Sequence, residues 1–134
     1  MQHKYLLDTS TCIEFLRGNP ITVKQMYDND IFCCISTITE AELFNGVYHA
    51  PERYFLKELH TVQTFVQRYE TFSLLNATEF YSKEKKRLET LGTPVDDFDL
   101  MIGAIGVKNN LIIVTSNTKH FENIEGIQLV DWSR

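Results

Sequence analysis

No apolar run in this 134-residue sequence approaches the roughly 20 residues of a membrane-spanning helix, which argues against a helical membrane span. The opening Met1-Gln2-His3-Lys4 leads into only a brief apolar stretch, unlike a secretory leader. Proline (three) and glycine (six) are scarce, so no linker or low-complexity segment divides the chain, and one domain over residues 1–134 is expected. Cysteine is confined to Cys12 and the adjacent Cys33-Cys34, an odd count without C-x-x-C spacing. That excludes a disulfide framework and a zinc knuckle and suits a reducing cytosol. The histidines His3, His49, His60 and His120 show no H-E-x-x-H spacing. No G-x-x-x-x-G-K-[ST] loop, G-x-G-x-x-G turn or G-x-S-x-G elbow is present, so nucleotide-cofactor and serine-hydrolase chemistry lack support. An excess of basic residues is missing too. The net charge is −5, whereas a protein that grips nucleic acid through phosphates alone should be basic. Nucleic-acid chemistry is compatible with that balance only if carboxylates hold metal ions, which invert the local field.

What is there is an alternation of strand and helix patterns. Lys4 to Leu7, Ile31 to Ile35, Thr71 to Leu75, Leu111 to Thr115 and Ile127 to Val130 read as strands. Ile31-Phe32-Cys33-Cys34-Ile35 is apolar on both faces, as in a parallel sheet. Helices are predicted from Thr9 or Ser10 to Leu16, from Ile21 to Asn29, from Ser36 or Thr37 to about His49, and from Pro51 to about Tyr69. The last carries Phe55, Leu59, Val62 and Val66 on one stripe. A charged helix capped by Asn76 ends near Gly92, and Phe98 to Val107 is an apolar helix whose Gly103 and Gly106 imply close packing. The pattern predicts an α/β domain with a mainly parallel sheet, whose ligands bind beyond the C-terminal strand ends. Asp8, Ser36-Thr37 and Ser116-Asn117-Thr118 fall at that edge.

The acids need individual weighing. Asp8 follows Tyr5-Leu6-Leu7 directly, and its bland explanation is a helix cap, stabilising by about 1 kcal/mol. Glu40 and Glu42 point about 200° apart on one helix, so only one of them faces inward. A lone Glu42 is ordinarily a solvated residue. Asp96, Asp97 and Asp99 open an apolar helix. Attraction to the helix N-terminus explains one or two of them, but Asp96 and Asp99 share a face and repel unless a cation or proton joins them. Mg²⁺ or Mn²⁺, which take carboxylate oxygens and keep positions open for phosphate, would remove that difficulty.

Five segments together resemble VapC-type PIN domains. They are Tyr5-Leu6-Leu7-Asp8-Thr9-Ser10, Ile35 to Leu43 with Gly46-Val47, Asp96 to Ala104, Leu111 to Thr118 with His120-Phe121, and Leu129-Val130-Asp131-Trp132. They follow the family's order from residue 5 to 132, nearly the whole chain. The resemblance implies a PIN-like three-layer α/β/α sandwich and a metal-dependent endoribonuclease toxin that cuts structured RNA, tRNA above all. It places the acids that hold Mg²⁺ or Mn²⁺ at Asp8, Glu42 and Asp99, with Asp96 of second rank. Thr9, Ser10, Thr115 and Ser116 would support water or carboxylates. Asn117 falls where many PIN domains have a fourth Asp, which bears on a second metal. The resemblance also implies a cognate VapB-type antitoxin inserted in the groove, operator DNA contacted only through that antitoxin, and a homodimer to which the Phe55–Val66 stripe contributes. A prokaryotic cytoplasm follows. The basic face of Lys83, Lys86 and Arg87 is either solvated or an RNA-backbone contact. The rival reading is a degenerate, non-catalytic PIN-like module that binds RNA or protein, with Asn117 as its support. Dehalogenase-type phosphatases and receiver domains fit worse, because Asp8-Thr9-Ser10-Thr11 lacks the D-x-D pattern of the former and no late Lys suits the latter.

Overall fold

The structure, a computed structural model, describes residues 4–134; His3 lies outside the described residues. Five parallel strands form one sheet in the order β3-β2-β1-β4-β5: β1 (Tyr5–Leu7), β2 (Cys33–Ser36), β3 (Glu70–Phe72), β4 (Ile112–Val114) and β5 (Leu129–Val130). Six helices cover its two faces: α1 (Thr9–Leu16), α2 (Pro20–Asp28), α3 (Thr37–Tyr48), α4 (Phe55–Val66), α5 (Thr78–Thr90) and α6 (Asp97–Lys108). β1 and β2, buried on both faces, turn at once into α1 and α3, whereas the edge strand β3 is largely exposed. Leu6 and Leu7, both fully buried, point into different cores. Leu6, Cys34 and Ile113 meet Leu88 of α5 and Leu100 and Ile105 of α6. Leu7, Ile35 and Val114 meet Cys12, Met26, Val62 and Phe65 of α1, α2 and α4. The result is the expected three-layer sandwich, and all three cysteines are free and buried.

Local departures from the sequence reading have physical causes. Asp30–Phe32 is a 3-10 turn rather than the start of a strand, and Ile31 is 84% exposed, so β2 begins at Cys33. Asp8, not Thr9 or Ser10, occupies the cap position of α1. Asn19 caps α2 through the Ile21 and Thr22 N–H groups, with Pro20 in its first turn. Glu52–Tyr54 is a second 3-10 turn, and α4 proper starts at Phe55 and ends at Val66. Its stripe of Phe55, Leu59, Val62 and Val66 packs on the chain's own core, with Val62 buried and the other three partly buried. β3 lies at Glu70–Phe72, upstream of the predicted Thr71–Leu75. Asn76 does not cap α5; its amide donates to Asn109 Oδ1 (3.1 Å) and Ala77 takes the cap position. α6 does press closely on its neighbours: a Cβ on Gly106 would lie 2.9 Å from two Ile113 side-chain atoms of β4.

The chain runs outward in one direction through β1, β2 and β3 and in the other through β4 and β5. The reversal falls between β1 and β4, where the loops leaving the C-terminal ends diverge and open a crevice. Asp8 leaves β1 and Thr115 leaves β4 at that point.

Candidate active site

Asp8 sits at the mouth of the crevice and is 4% exposed. Its N–H donates to Val114 O (2.9 Å), carrying the β1–β4 ladder one step beyond the strand. Its side chain makes no capping bond to α1. Instead Oδ2 accepts from Ser10 Oγ (3.0 Å) and Thr115 Oγ1 (2.9 Å). Among the described residues no buried side-chain oxygen or nitrogen lacks a partner, so the other oxygen of Asp8 opens on the crevice. The capping explanation therefore fails for Asp8: two hydroxyls aim it elsewhere. Ser10 Oγ also accepts the Ser116 N–H (3.2 Å), and Thr115 Oγ1 accepts the Asn117 N–H (3.0 Å), which ties the loop after β4 to the same point.

Glu42 projects from α3, the helix that Ser36 caps by accepting the Thr39 N–H (3.0 Å). Thr9 Oγ1 donates to Glu42 Oε1 (2.7 Å). Burial raises the Glu42 pKa above the usual carboxylate value; the Thr9 bond opposes this, and Asp8 and Asp96 add to it.

The three acids of α6 separate cleanly. Asp96 caps the helix, accepting the Phe98 N–H (3.2 Å). Asp97 faces α5, where Lys85 (2.7 Å) and Tyr81 (3.1 Å) donate to it and hold its pKa down. Asp99 has no such donor. Burial, then Asp8, Asp96 and Glu42, push its pKa up to about 6, against a smaller lowering by His120. His120 Nδ1 lies 3.5 Å from Asp99 Oδ2.

The acids influence one another without closing into a cage: among the described residues no three His, Cys, Asp or Glu side chains cluster as metal ligands. Nor does any lysine or arginine pair with Asp8, Glu42, Asp96 or Asp99 among those residues. Uncompensated, mutually repelling carboxylates with hard oxygen donors suit a divalent cation. An open frame suits Mg²⁺, which keeps several waters and takes only one or two carboxylates directly. The residues present thus fit that ion.

The PIN domain family matches residues 5–127. Over 133 residues the chain is 34% identical to the tRNA(fMet)-specific endonuclease VapC of Salmonella typhimurium, spanning 96% of this chain and 98% of the relative. This chain belongs to the VapC family of PIN domains. Ribonuclease VapC1 of Haemophilus influenzae is 27% identical over 138 residues, spanning 97% of this chain and 98% of the relative. Among solved structures, DNA-bound VapBC of Salmonella typhimurium superposes with a TM-score of 0.90 at 32% identity, covering 98% of this chain and 99% of that one. VapBC2 of Rickettsia felis, bound to a promoter fragment, gives 0.87 at 25% identity, covering 96% of this chain and 98% of that one.

Within this family frame, several residues at the site had no signature in the sequence. Lys119 and His120 belong to a 3-10 turn, Thr118–His120, that follows β4 and lines a groove with Asp96 and Asp99. Thr39 lies buried with its hydroxyl 3.1 Å from that of Thr9. Asn117, at the fourth-acid position, is exposed and begins the turn. The basic face of α5 is not uniform. Arg87 is held by both oxygens of buried Glu84 (2.6 and 2.7 Å) and donates to Asn123 O (2.9 Å), so it ties α5 to the Asn123 loop while remaining partly exposed.

Proposed function

We propose that this chain is the toxin of a VapBC pair: an Mg²⁺-dependent endoribonuclease, also served by Mn²⁺, that cleaves structured RNA and so arrests translation and growth. One observation carries the reading. Acids from the end of β1, from α3 and from α6 line the crevice at the sheet's switch point and raise the pKa of Glu42 and Asp99, and among the described residues no lysine or arginine pairs with them. The relatives' specificity makes tRNA the substrate to test first.

Asp8, Asp99 and Asp96 would hold the ion, with Glu42 at its edge. The bound ion would neutralise the scissile phosphate and acidify a water. The rest is done by the chain. Ser10 and Thr115 fix Asp8 in one orientation, leaving one oxygen to the crevice. Thr9 holds Glu42, whose raised pKa suits it to orient the attacking water and accept its proton. Lys119 and His120, on the far wall of the groove, meet the phosphate charge that the acids would otherwise repel. Thr9, Ser10, Thr115, Ser116 and Asn117 form the supporting polar ring. A VapB-type antitoxin would silence the site by laying its C-terminal segment in the groove, an arginine pairing with the acids, and would carry the operator-DNA contact. A homodimer would use helical surface, the partly buried stripe of α4 contributing to it. No helix among the described residues is long and apolar enough to cross a membrane, and a cytoplasmic place suits both RNA and antitoxin.

The experiment is cleavage of total tRNA by purified protein with Mg²⁺, with Mn²⁺ and with EDTA, beside Asp99→Asn prepared identically. Discrete fragments from metal-loaded wild type alone support the reading. Silence of both proteins, with no antitoxin co-purified, favours the non-catalytic binding module that Asn117 suggests.

A further inference from the structure

Between the acids and the first-face helices lies a cavity of about 550 Å³ that the cleavage chemistry leaves unused. Thr9 and Ile13 of α1, Ala41, Glu42 and Asn45 of α3, and Phe98 of α6 form its walls. Phe98 is 52% exposed and belongs to neither core, although Leu100 and Ile102–Gly106 of the same helix are buried. It stands between the cap Asp96 and the site acid Asp99, so its ring is carried on the backbone that presents those carboxylates. The cavity shares Thr9 and Glu42 with the acid site, and whatever fills it sits beside the group assigned to the attacking water.

The charges along the groove identify the occupant. On one side of the acids stand Lys119 and His120. On the other, the Phe98 cavity adjoins at Glu42 and Ile13 a second hollow lined by Arg17, Lys57 and Glu58, and neither Arg17 nor Lys57 forms an ion pair among the described residues. Cations at both ends with acids between them match a strand of polyanion whose central phosphate lies at the acids. A ribonucleotide strand so placed must put the base next to that phosphate somewhere, and unpaired bases stack on exposed aromatic rings. Phe98 offers the ring face, Ile13 and Ala41 an apolar floor, and the exposed Asn45 an amide with both a donor and an acceptor for a base edge.

We propose that Phe98 and Asn45 form a subsite for one unpaired nucleobase flanking the scissile phosphate, with the base stacked on Phe98 and its edge met by Asn45. This rests on the ribonuclease reading above. It makes the enzyme's choice of cut position depend on a base, and the target a single-stranded loop or bulge.

The test uses a synthetic oligoribonucleotide spanning the cut mapped on tRNA, alongside versions in which each flanking base in turn is replaced by an abasic ribose. On intact RNA, Phe98→Ala should lower kcat/KM by roughly ten- to a hundredfold, the range for loss of one base–aromatic stack, while Phe98→Trp keeps activity. On one of the two abasic substrates wild type and Phe98→Ala should become equal. Asn45→Ala should change the preference among bases at that same position. Melting curves of Phe98→Ala should match wild type, as expected for truncation of an exposed side chain. The proposal is overturned if Phe98→Ala cuts intact RNA as wild type does. It is also overturned if the variant is equally impaired on intact and both abasic RNAs, since Phe98 then acts on the acids rather than on a base. Normal cutting combined with lost inhibition by the cognate VapB-type antitoxin would assign the cavity to that protein instead. Wild type that cuts nothing, with either metal, defeats the ribonuclease reading itself and is distinguishable from all of these.

Discussion

Replacing Asp99 by Asn should make the metal-free protein more stable at neutral pH while removing its response to Mg²⁺. Asp99 is half-buried among Asp8, Asp96 and Glu42, and its pKa rises from 3.8 to about 6. The sign is opposite to that of a salt-bridged carboxylate. Because the folded pKa exceeds the unfolded one, folding carries no penalty from this group below about pH 4. The penalty grows between pH 4 and 6 and is complete above 6. A shift of roughly two units corresponds to about 3 kcal/mol. Asn keeps the size and loses the charge, though it also loses the attraction to His120, 3.5 Å away. Allowing the remaining acids to redistribute their protons, the expected gain is about 1–3 kcal/mol at pH 7.5, or roughly 4–10 °C in Tm. Urea unfolding in EDTA at pH 7.5 and pH 4 measures it, and at pH 4 the gain should shrink to a few tenths of a kcal/mol. In excess Mg²⁺ the order should reverse, since ligand at about a thousand times Kd stabilises wild type by about 4 kcal/mol and leaves Asp99→Asn nearly unchanged. An Asp99→Asn protein no more stable than wild type at pH 7.5, or one with the same gain at both pH values, would refute the account of the site as uncompensated charge.

Other perturbations follow from particular contacts. Thr115→Val removes one of the two hydroxyls that aim Asp8 and should weaken Mg²⁺ binding by about 10- to 100-fold, read by calorimetry, with little loss of fold. Arg87→Ala leaves the buried Glu84 carboxylate with only the Glu125 N–H and should lower the urea midpoint at pH 7. Glu84 has a lowered pKa, so this clamp contributes above the ordinary glutamate range and fades as pH falls through its folded pKa, the reverse of Asp99. Gly106→Ala should destabilise by about 1–2 kcal/mol, because the new Cβ meets both Cγ1 and Cδ1 of Ile113 at 2.9 Å on the rigid sheet. Gly103→Ala meets chiefly the mobile end of Ile124, and thermal melts should find it nearly neutral once the helix propensity of Ala is counted.

Much of this protein was legible along the chain because the deciding forces are local in sequence. Period-two and period-3.6 apolar patterns marked every strand and helix, since each element must bury a face of its own. The Asp after Leu6-Leu7 and the third acid before Leu100 stood out as candidates, but a helix cap explained Asp8 equally well along the chain, and only the family resemblance singled out Asp8, Glu42 and Asp99. Where the local rules failed, tertiary contacts had outvoted them. Ile31 reads as strand, but the sheet begins only where Tyr5 finds Cys33 as its partner. Asn76 reads as a cap, yet Asn109 lies within reach of its amide. The Phe55–Val66 stripe reads as one apolar face, and only the packing of α4 showed that Val62 is buried in the core while Phe55, Leu59 and Val66 stay partly exposed. Which acid did which task was likewise invisible in sequence. Asp97 is set apart by Lys85 on α5, Asp96 by its own helix, and Asp99 by having neither. The 3-10 turn that brings His120 to Asp99 and the cavity that leaves Phe98 uncovered arise between elements far apart in the chain. The sequence by itself determined the layers, the edge and the acids; the folded chain decided their separate roles, because a carboxylate's chemistry depends on the charges and donors that surround it in space.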